Sequence, residues 1–187
     1  ICDHYIAWGE GGKYHKKNIV LPVNKFSEYI PKSTSSKNGL LHVLGFNHKY
    51  ITHIDSNLTL SKYQNYIKDQ KFFIDLIDSK SSKGYKLRAN PNSINAGWSN
   101  EFDIVGNYSI DNEKHFIKSL KNNKLIVATC NQTTFLQSLA MNIPTVVFWN
   151  SEYELLEDSV ISDYKKLYDI GILFDSPEAA AKHINEL

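Results

Sequence analysis

The sequence predicts an α/β protein: a Rossmann-like, doubly wound parallel sheet with helices on both faces. Two observations carry this. From Leu40 onward, short apolar runs alternate with stretches of helical periodicity, as in "LLHVLGF", "LSKYQNYIKDQKFFIDLI" and "GYKLRAN". Such alternation builds βαβ units, whose right-handed crossovers lay the strands parallel. The later runs "KLIVAT" and "PTVVFW" also read as buried strands, and a helix, "TTFLQSLAMN", separates them. Counted from Leu40, the expected strand order is 3-2-1-4-5-6, which sets the end of the first strand (Phe46) beside the end of the fourth (Thr129).

The elements follow in order. "DHYIAWGEGGK" starts as a strand and ends in a glycine turn, and Lys17–Val23 is a second short strand. Residues 24–39 are polar, rich in Ser and Lys, and carry a proline, the composition of a linker or exposed loop. Leu40–Phe46 is a strand. The helix after it places Leu60, Tyr63, Ile67, Ile74 and Ile77 on one face. Gly84–Asn90 and Phe102–Gly106 are the next strands. A helix over 111–123 follows, with Asp111 as its expected N-cap. Residues 155–171 read as largely helical and stop at Gly171. "ILF" is the last strand, and the final helix has Ser176 as N-cap and Pro177 in its first turn. The expected division is residues 1–38 as a remnant of a preceding domain with a linker, and 39–187 as the Rossmann-like domain.

Composition narrows the function classes. The chain has 187 residues, a formal charge of +1 and 42% apolar residues, enough for a full core and without a global pull toward nucleic acid or anionic membrane. No apolar run reaches the roughly 20 residues of a membrane span. Two cysteines, Cys2 and Cys130, make no disulfide framework and show no metal-ligand spacing, so the expected compartment is the cytoplasm, with the inner face of the membrane as the other candidate place. No metal is expected. Of the 21 basic residues, only Arg88 is an arginine. A guanidinium can fork onto phosphate or carboxylate where lysine cannot; the plain alternative is a surface strand position.

The polar stretch Cys130–Thr134 interrupts two buried runs at the expected switch point, where open α/β sheets keep their ligands. It leads into a helix whose N–H groups and dipole favour an anion, with Thr133 and Thr134 as hydroxyl donors. A capping box from Thr134 to Gln137 would explain those two residues but not Asn131, Gln132 and Thr133. After the first strand, Gly45 permits close backbone approach, and Asn47 and His48 are polar handles. Arg88 ends the second strand within reach of a phosphate in the crevice. After the fifth strand come Glu152 and Glu154, placed to accept from ribose hydroxyls or simply to suit a helix N-terminus. Trp8, Trp98 and Trp149 read as core or interface residues. "GEGGK" lacks P-loop spacing, and no HExxH or GxSxG motif is present. The catalytic residues are therefore not assigned.

At these residues the chain resembles the C-terminal, donor-binding half of a GT-B glycosyltransferase, nearest to transferases of bacterial O-antigen and surface-polysaccharide (lipopolysaccharide) gene clusters. The carrying segments are "LIVATCNQTTFLQSLAMNIPTVVFWNSEYELL", "KLRANPN" and "DIGILFDSPEAAAKHINEL". The resemblance implies a nucleotide-activated sugar as substrate, with its diphosphate held by Arg88, Thr133 and Thr134. It also implies a general base and acceptor site on an N-terminal domain absent from this chain, no bound metal or other cofactor, and little activity for this piece alone. Where many such enzymes carry a glutamate in the helix after the polar loop, this sequence has Gln137. Two alternatives remain: a sugar-nucleotide epimerase of the same fold, and a non-catalytic nucleotide-binding or assembly module.

Overall fold

A computed structural model describes residues 4–8, 16–21, 39–45, 59–89, 108–152 and 155–187. Tyr5–Trp8 (β1) and Asn18–Leu21 (β2) form a separate two-stranded parallel sheet. The remaining strands are Leu40–Val43 (β3), Lys86–Arg88 (β4), Ser109–Ile110 (β5), Leu125–Ala128 (β6), Thr145–Phe148 (β7) and Leu173–Phe174 (β8). They make one sheet of order β5-β4-β3-β6-β7-β8, parallel throughout. Counted from β3 this is the expected 3-2-1-4-5-6. The third position is filled by β5; the expected strand Phe102–Gly106 and the linker before Gly39 lie outside the described residues.

Helices cover both faces. Leu60–Leu76 (α1) and Pro177–Glu186 (α5) bring Phe73, Ile74, Ile77, Ala180, Ala181 and Ile184 against Leu40, Leu44, Leu87, Val127, Val146 and Phe148. On the other face lie Phe116–Asn122 (α2), Thr133–Ala140 (α3) and Ile161–Asp169 (α4). There Leu41, Val43 and Ile126 meet Leu120, Met141 and Ile143, while Ala128, Val147 and Leu173 meet Phe135, Trp149, Tyr164 and Leu167. Successive strand residues point to opposite faces, so a sheet covered on both sides buries every position of β3 and β7. Trp149 is a core residue, as expected.

One residue of β3 breaks its apolar run. His42 is fully buried on the α1 face, its ring edge-on to Phe73 at 5.1 Å. Its Nε2–H donates to Gln70 Oε1 at 2.9 Å, and Nδ1 accepts from the Tyr85 hydroxyl. Burial lowers the His42 pKa to about 4, against the opposing pull of the Gln70 bond, so the ring is neutral. This explains why a polar residue, Gln70, joins the buried stripe of α1. It runs through Tyr63, Tyr66, Gln70, Phe73, Ile74 and Ile77, with Ile67 only half-buried. The stripe includes a polar residue because His42 needs an acceptor. The C-terminal end of α1 is closed from α5, where Asn185 Nδ2–H donates to the Leu76 carbonyl and Asn185 Oδ1 accepts from the Asp78 N–H.

One local expectation is corrected, one holds in two pieces, and the capping alternative falls away. The helix placed over 111–123 begins only at Phe116, with His115 as N-cap, because Asp111 is drawn to Arg88 instead of capping. The stretch after Leu155 is largely helical, as expected, but in two pieces: a short 3-10 turn, Asp158–Val160, precedes α4. The capping box is not formed, since α3 starts one residue before Thr134 and its N-cap is Gln132, whose side chain makes no capping bond. Gly171, at φ 71°, ends α4, and Ser176 accepts from the Ala179 N–H at 3.2 Å as the cap of α5, both as expected.

Candidate functional site

The carboxyl ends of β3 and β6 lie side by side, with Val43 opposite Ala128. Small polar groups lock them together. The Thr129 hydroxyl donates to the Val43 carbonyl at 3.1 Å and accepts from Tyr66 Oη at 2.6 Å. The Gly45 N–H is shared between Tyr66 Oη (3.0 Å) and Thr129 Oγ1 (3.3 Å). Gly45 is required here for lack of space: a Cβ would overlap Cys130 Sγ and lie 2.6 Å from Cys130 Cβ. The close approach expected of Gly45 is thus made to Cys130, across the switch point.

At this switch point opens a pocket of about 580 Å³, within the range of small-molecule sites. Its floor is Val43, Leu44, Gly45, Arg88 and Ala89 from the ends of β3 and β4. One wall is Gln132, Thr133, Thr134 and Gln137 from the start of α3. The other is Lys114, His115, Phe116 and Ile117, from the start of α2 and the turn before it. Gly45, Arg88, Gln132, Thr133 and Thr134 therefore converge. The Thr133 and Thr134 hydroxyls make no hydrogen bond among the described residues, which leaves them available to a ligand.

The other expected residues part from this group. Asn131 is turned toward α4, where its Oδ1 accepts from the Tyr164 hydroxyl at 2.5 Å, and it is not part of the described lining. Glu152 is exposed beyond β7, away from the lining; its carbonyl accepts from Lys62 Nζ at 3.0 Å. Asn47, His48 and Glu154 lie outside the described residues. The wall from Lys114 to Ile117 was missed from sequence. Its signal was present in "NEKHFI", where a cation and an imidazole precede an apolar helix start, but the helix was expected to begin earlier.

Arg88 is only 6% exposed. Its Nη1 donates to Asp111 Oδ2 (2.5 Å), to the Glu113 carbonyl (2.8 Å) and to Ser119 Oγ (2.9 Å), and its guanidinium carbon sits 5.3 Å over the Phe116 ring. Ser119 in turn donates to Asp111 Oδ2 at 2.5 Å. Burial alone would raise the Asp111 pKa. The bonds from Ser119 and Arg88, with the guanidinium charge, outweigh that and hold it below the usual carboxylate value. The pair is therefore ionised and satisfied. Around it the loop is pinned to the sheet by the Asp111 N–H, which donates to the Leu87 carbonyl at 2.8 Å.

Chemically, the described lining carries Arg88, Lys114 and His115 and no Asp or Glu. With the Arg88 charge met by Asp111, Lys114 sets the sign, and such a pocket, with two threonine hydroxyls unbonded among the described residues, suits an anionic ligand with polar substituents. No described helix is long and apolar enough to cross a membrane. No curated protein matches the chain. A protein-family model, that of the LIC12162 family transferases, matches residues 1–187, and the chain belongs to that family of transferases.

Proposed function

We propose that this transferase is a glycosyltransferase, and that the switch-point pocket binds the diphosphate end of a nucleotide-activated sugar. The observation that carries this reading is the lining of the pocket: it holds Lys114 and the Thr133 and Thr134 hydroxyls, which have no hydrogen bond among the described residues, and no Asp or Glu. A departing nucleoside diphosphate gains negative charge as the sugar leaves, and preorganised donors aimed at it lower the barrier. The threonine hydroxyls and the start of α3 would supply such donors. The resemblance to GT-B enzymes supports an acceptor and general base on a separate N-terminal domain, and a role in bacterial surface-polysaccharide or O-antigen assembly at the cytoplasmic side of the membrane. The donor sugar is substrate, and the reading requires no other cofactor.

Thermal unfolding with UDP, GDP, CMP, CDP and ADP tests this. A ligand at a hundredfold excess over Kd stabilises by about 2.7 kcal/mol, a midpoint shift of several degrees for a domain of this size. The expected result is a shift with one nucleoside diphosphate and a smaller one with its nucleoside. Equal midpoints with all five, in the chain joined to its acceptor domain as well as alone, would overturn the reading.

A further inference from the structure

Two permanent cations, Arg88 and Lys114, line the pocket, and they are not equivalent. We propose that Lys114 is the residue that meets the ligand's negative charge, while Arg88 is a positioning residue that holds the Lys114 turn in place. This rests on the reading of the pocket as a nucleoside diphosphate site.

The buried arginine is already engaged. Its charge faces the Asp111 carboxylate, with both side chains 8% exposed, and one of its nitrogens serves three acceptors. An arriving phosphate would meet an ion pair whose net charge is near zero, and drawing Arg88 toward it would strand a buried carboxylate. Lys114 differs in each respect. It is exposed on the pocket wall and makes no ion pair among the described residues. The turn that carries it, Asp111-Asn-Glu-Lys-His115, has two acids that could cancel its charge, and both are drawn elsewhere. Asp111 is held by Arg88 and Ser119. The Glu113 carboxylate takes Lys118 Nζ at 3.0 Å and the His115 N–H at 3.3 Å. The Arg88 bond to the Glu113 carbonyl fixes the residue just before Lys114. The fold thus neutralises the acids of this turn and leaves its lysine without an ion pair among the described residues, across the pocket from Thr133 and Thr134.

Titration calorimetry of each nucleoside diphosphate into the chain, at several salt concentrations, tests the division of roles. Lys114→Gln is expected to weaken binding about tenfold or more, to flatten the dependence of affinity on salt, and to leave the unfolding midpoint unchanged. Asp111→Asn gives the opposing test. If Arg88 were the anion contact, releasing it from the carboxylate would tighten binding; as a positioning residue it loses its anchor, and binding weakens with the wild-type salt dependence retained. Wild-type affinity in Lys114→Gln, or tighter binding in Asp111→Asn, overturns this inference while the nucleotide reading stands. Failure of the unmodified chain to bind any nucleoside diphosphate overturns both.

Discussion

Gly45 and Cys130 stand at the ends of adjacent parallel strands, too close for a side-chain carbon at Gly45. Gly45→Ala should therefore force the two strand exits apart and destabilise the protein by about 1–3 kcal/mol, the usual cost of overpacking. Removing the sulfur will not relieve it, because Cys130 Cβ itself is 2.6 Å from the new carbon. Urea denaturation of Gly45→Ala alone, with Cys130→Ala and with Cys130→Gly should show recovery only in the last. Full recovery with Cys130→Ala would contradict the geometry.

The Arg88–Asp111 pair should behave as a buried unit. Either Arg88→Ala or Asp111→Ala leaves one charge unpaired, at a cost of about 3 kcal/mol or more. The double variant should cost clearly less than the two single changes together. A double-mutant cycle by chemical denaturation gives the coupling, and strict additivity would mean that the pair contributes nothing as a pair.

Thr133 and Thr134 should matter for binding and little for folding. Their hydroxyls bond to nothing among the described residues, so Thr133→Val and Thr134→Val are expected to change stability by no more than about 0.5 kcal/mol. Each should weaken nucleotide affinity severalfold through the loss of a hydroxyl contact to a charged ligand, on the order of 1–2 kcal/mol. A large drop in the unfolding midpoint of either variant would assign the hydroxyl a structural task instead.

Acid sensitivity should trace to His42. Its folded pKa of about 4 lies below the ordinary 6.5, so between those values the unfolded chain binds the extra proton. The stability from keeping His42 neutral is present above pH 6.5 and is lost as pH falls through 4, on the order of 3 kcal/mol in total. Asp69 acts the other way: burial, then the charge of Glu178, raise its pKa to about 6, so the folded chain holds that proton and gains stability as pH falls from 6 toward 3.8. Asp111, held below its ordinary 3.8, loses its contribution only under stronger acid. Because the two contributions nearly offset below pH 6, denaturation between pH 4 and 7.5 should show stability rising toward acid for His42→Gln and a steeper acid loss than wild type for Asp69→Asn. Parallel profiles for His42→Gln and wild type would remove His42 as the cause.

How much of this was legible in the sequence follows from which interactions are local. Most strands and their order were readable because runs such as "LIVA" and "TVVF" alternate with helical periodicity, and right-handed crossovers leave few topologies; the two-residue edge strand β5, Ser109–Ile110, is too short and polar to announce itself. The cap at Ser176 was readable because its partner is three residues away. The role of Arg88 was not, since its partner is 23 residues on, and nothing in "KLRANPN" or "SIDNEKH" announces the pairing. That same contact pulls Asp111 off the expected cap, shifts the helix start to Phe116 and so hid the wall that Lys114 supplies. Gln70 on the buried stripe of α1 was hidden for a like reason: its partner His42 lies 28 residues earlier, inside a strand that otherwise reads as apolar.

The bond from Thr129 to Val43 spans 86 residues, and it has a bearing on how the protein is made. A ribosome adding roughly 5–20 residues per second needs about 4–17 s to pass from one partner to the other. Throughout that interval β3 has an open edge on the side that β6 will occupy, and the pocket lacks the wall that α3 will supply. Nascent chains arrested before Thr129 should thus remain protease-sensitive and prone to cross-strand association, and ligand protection should begin only once α3 has emerged. The site that gives the molecule its chemistry is also the seam that joins the first three strands of the sheet to the last three.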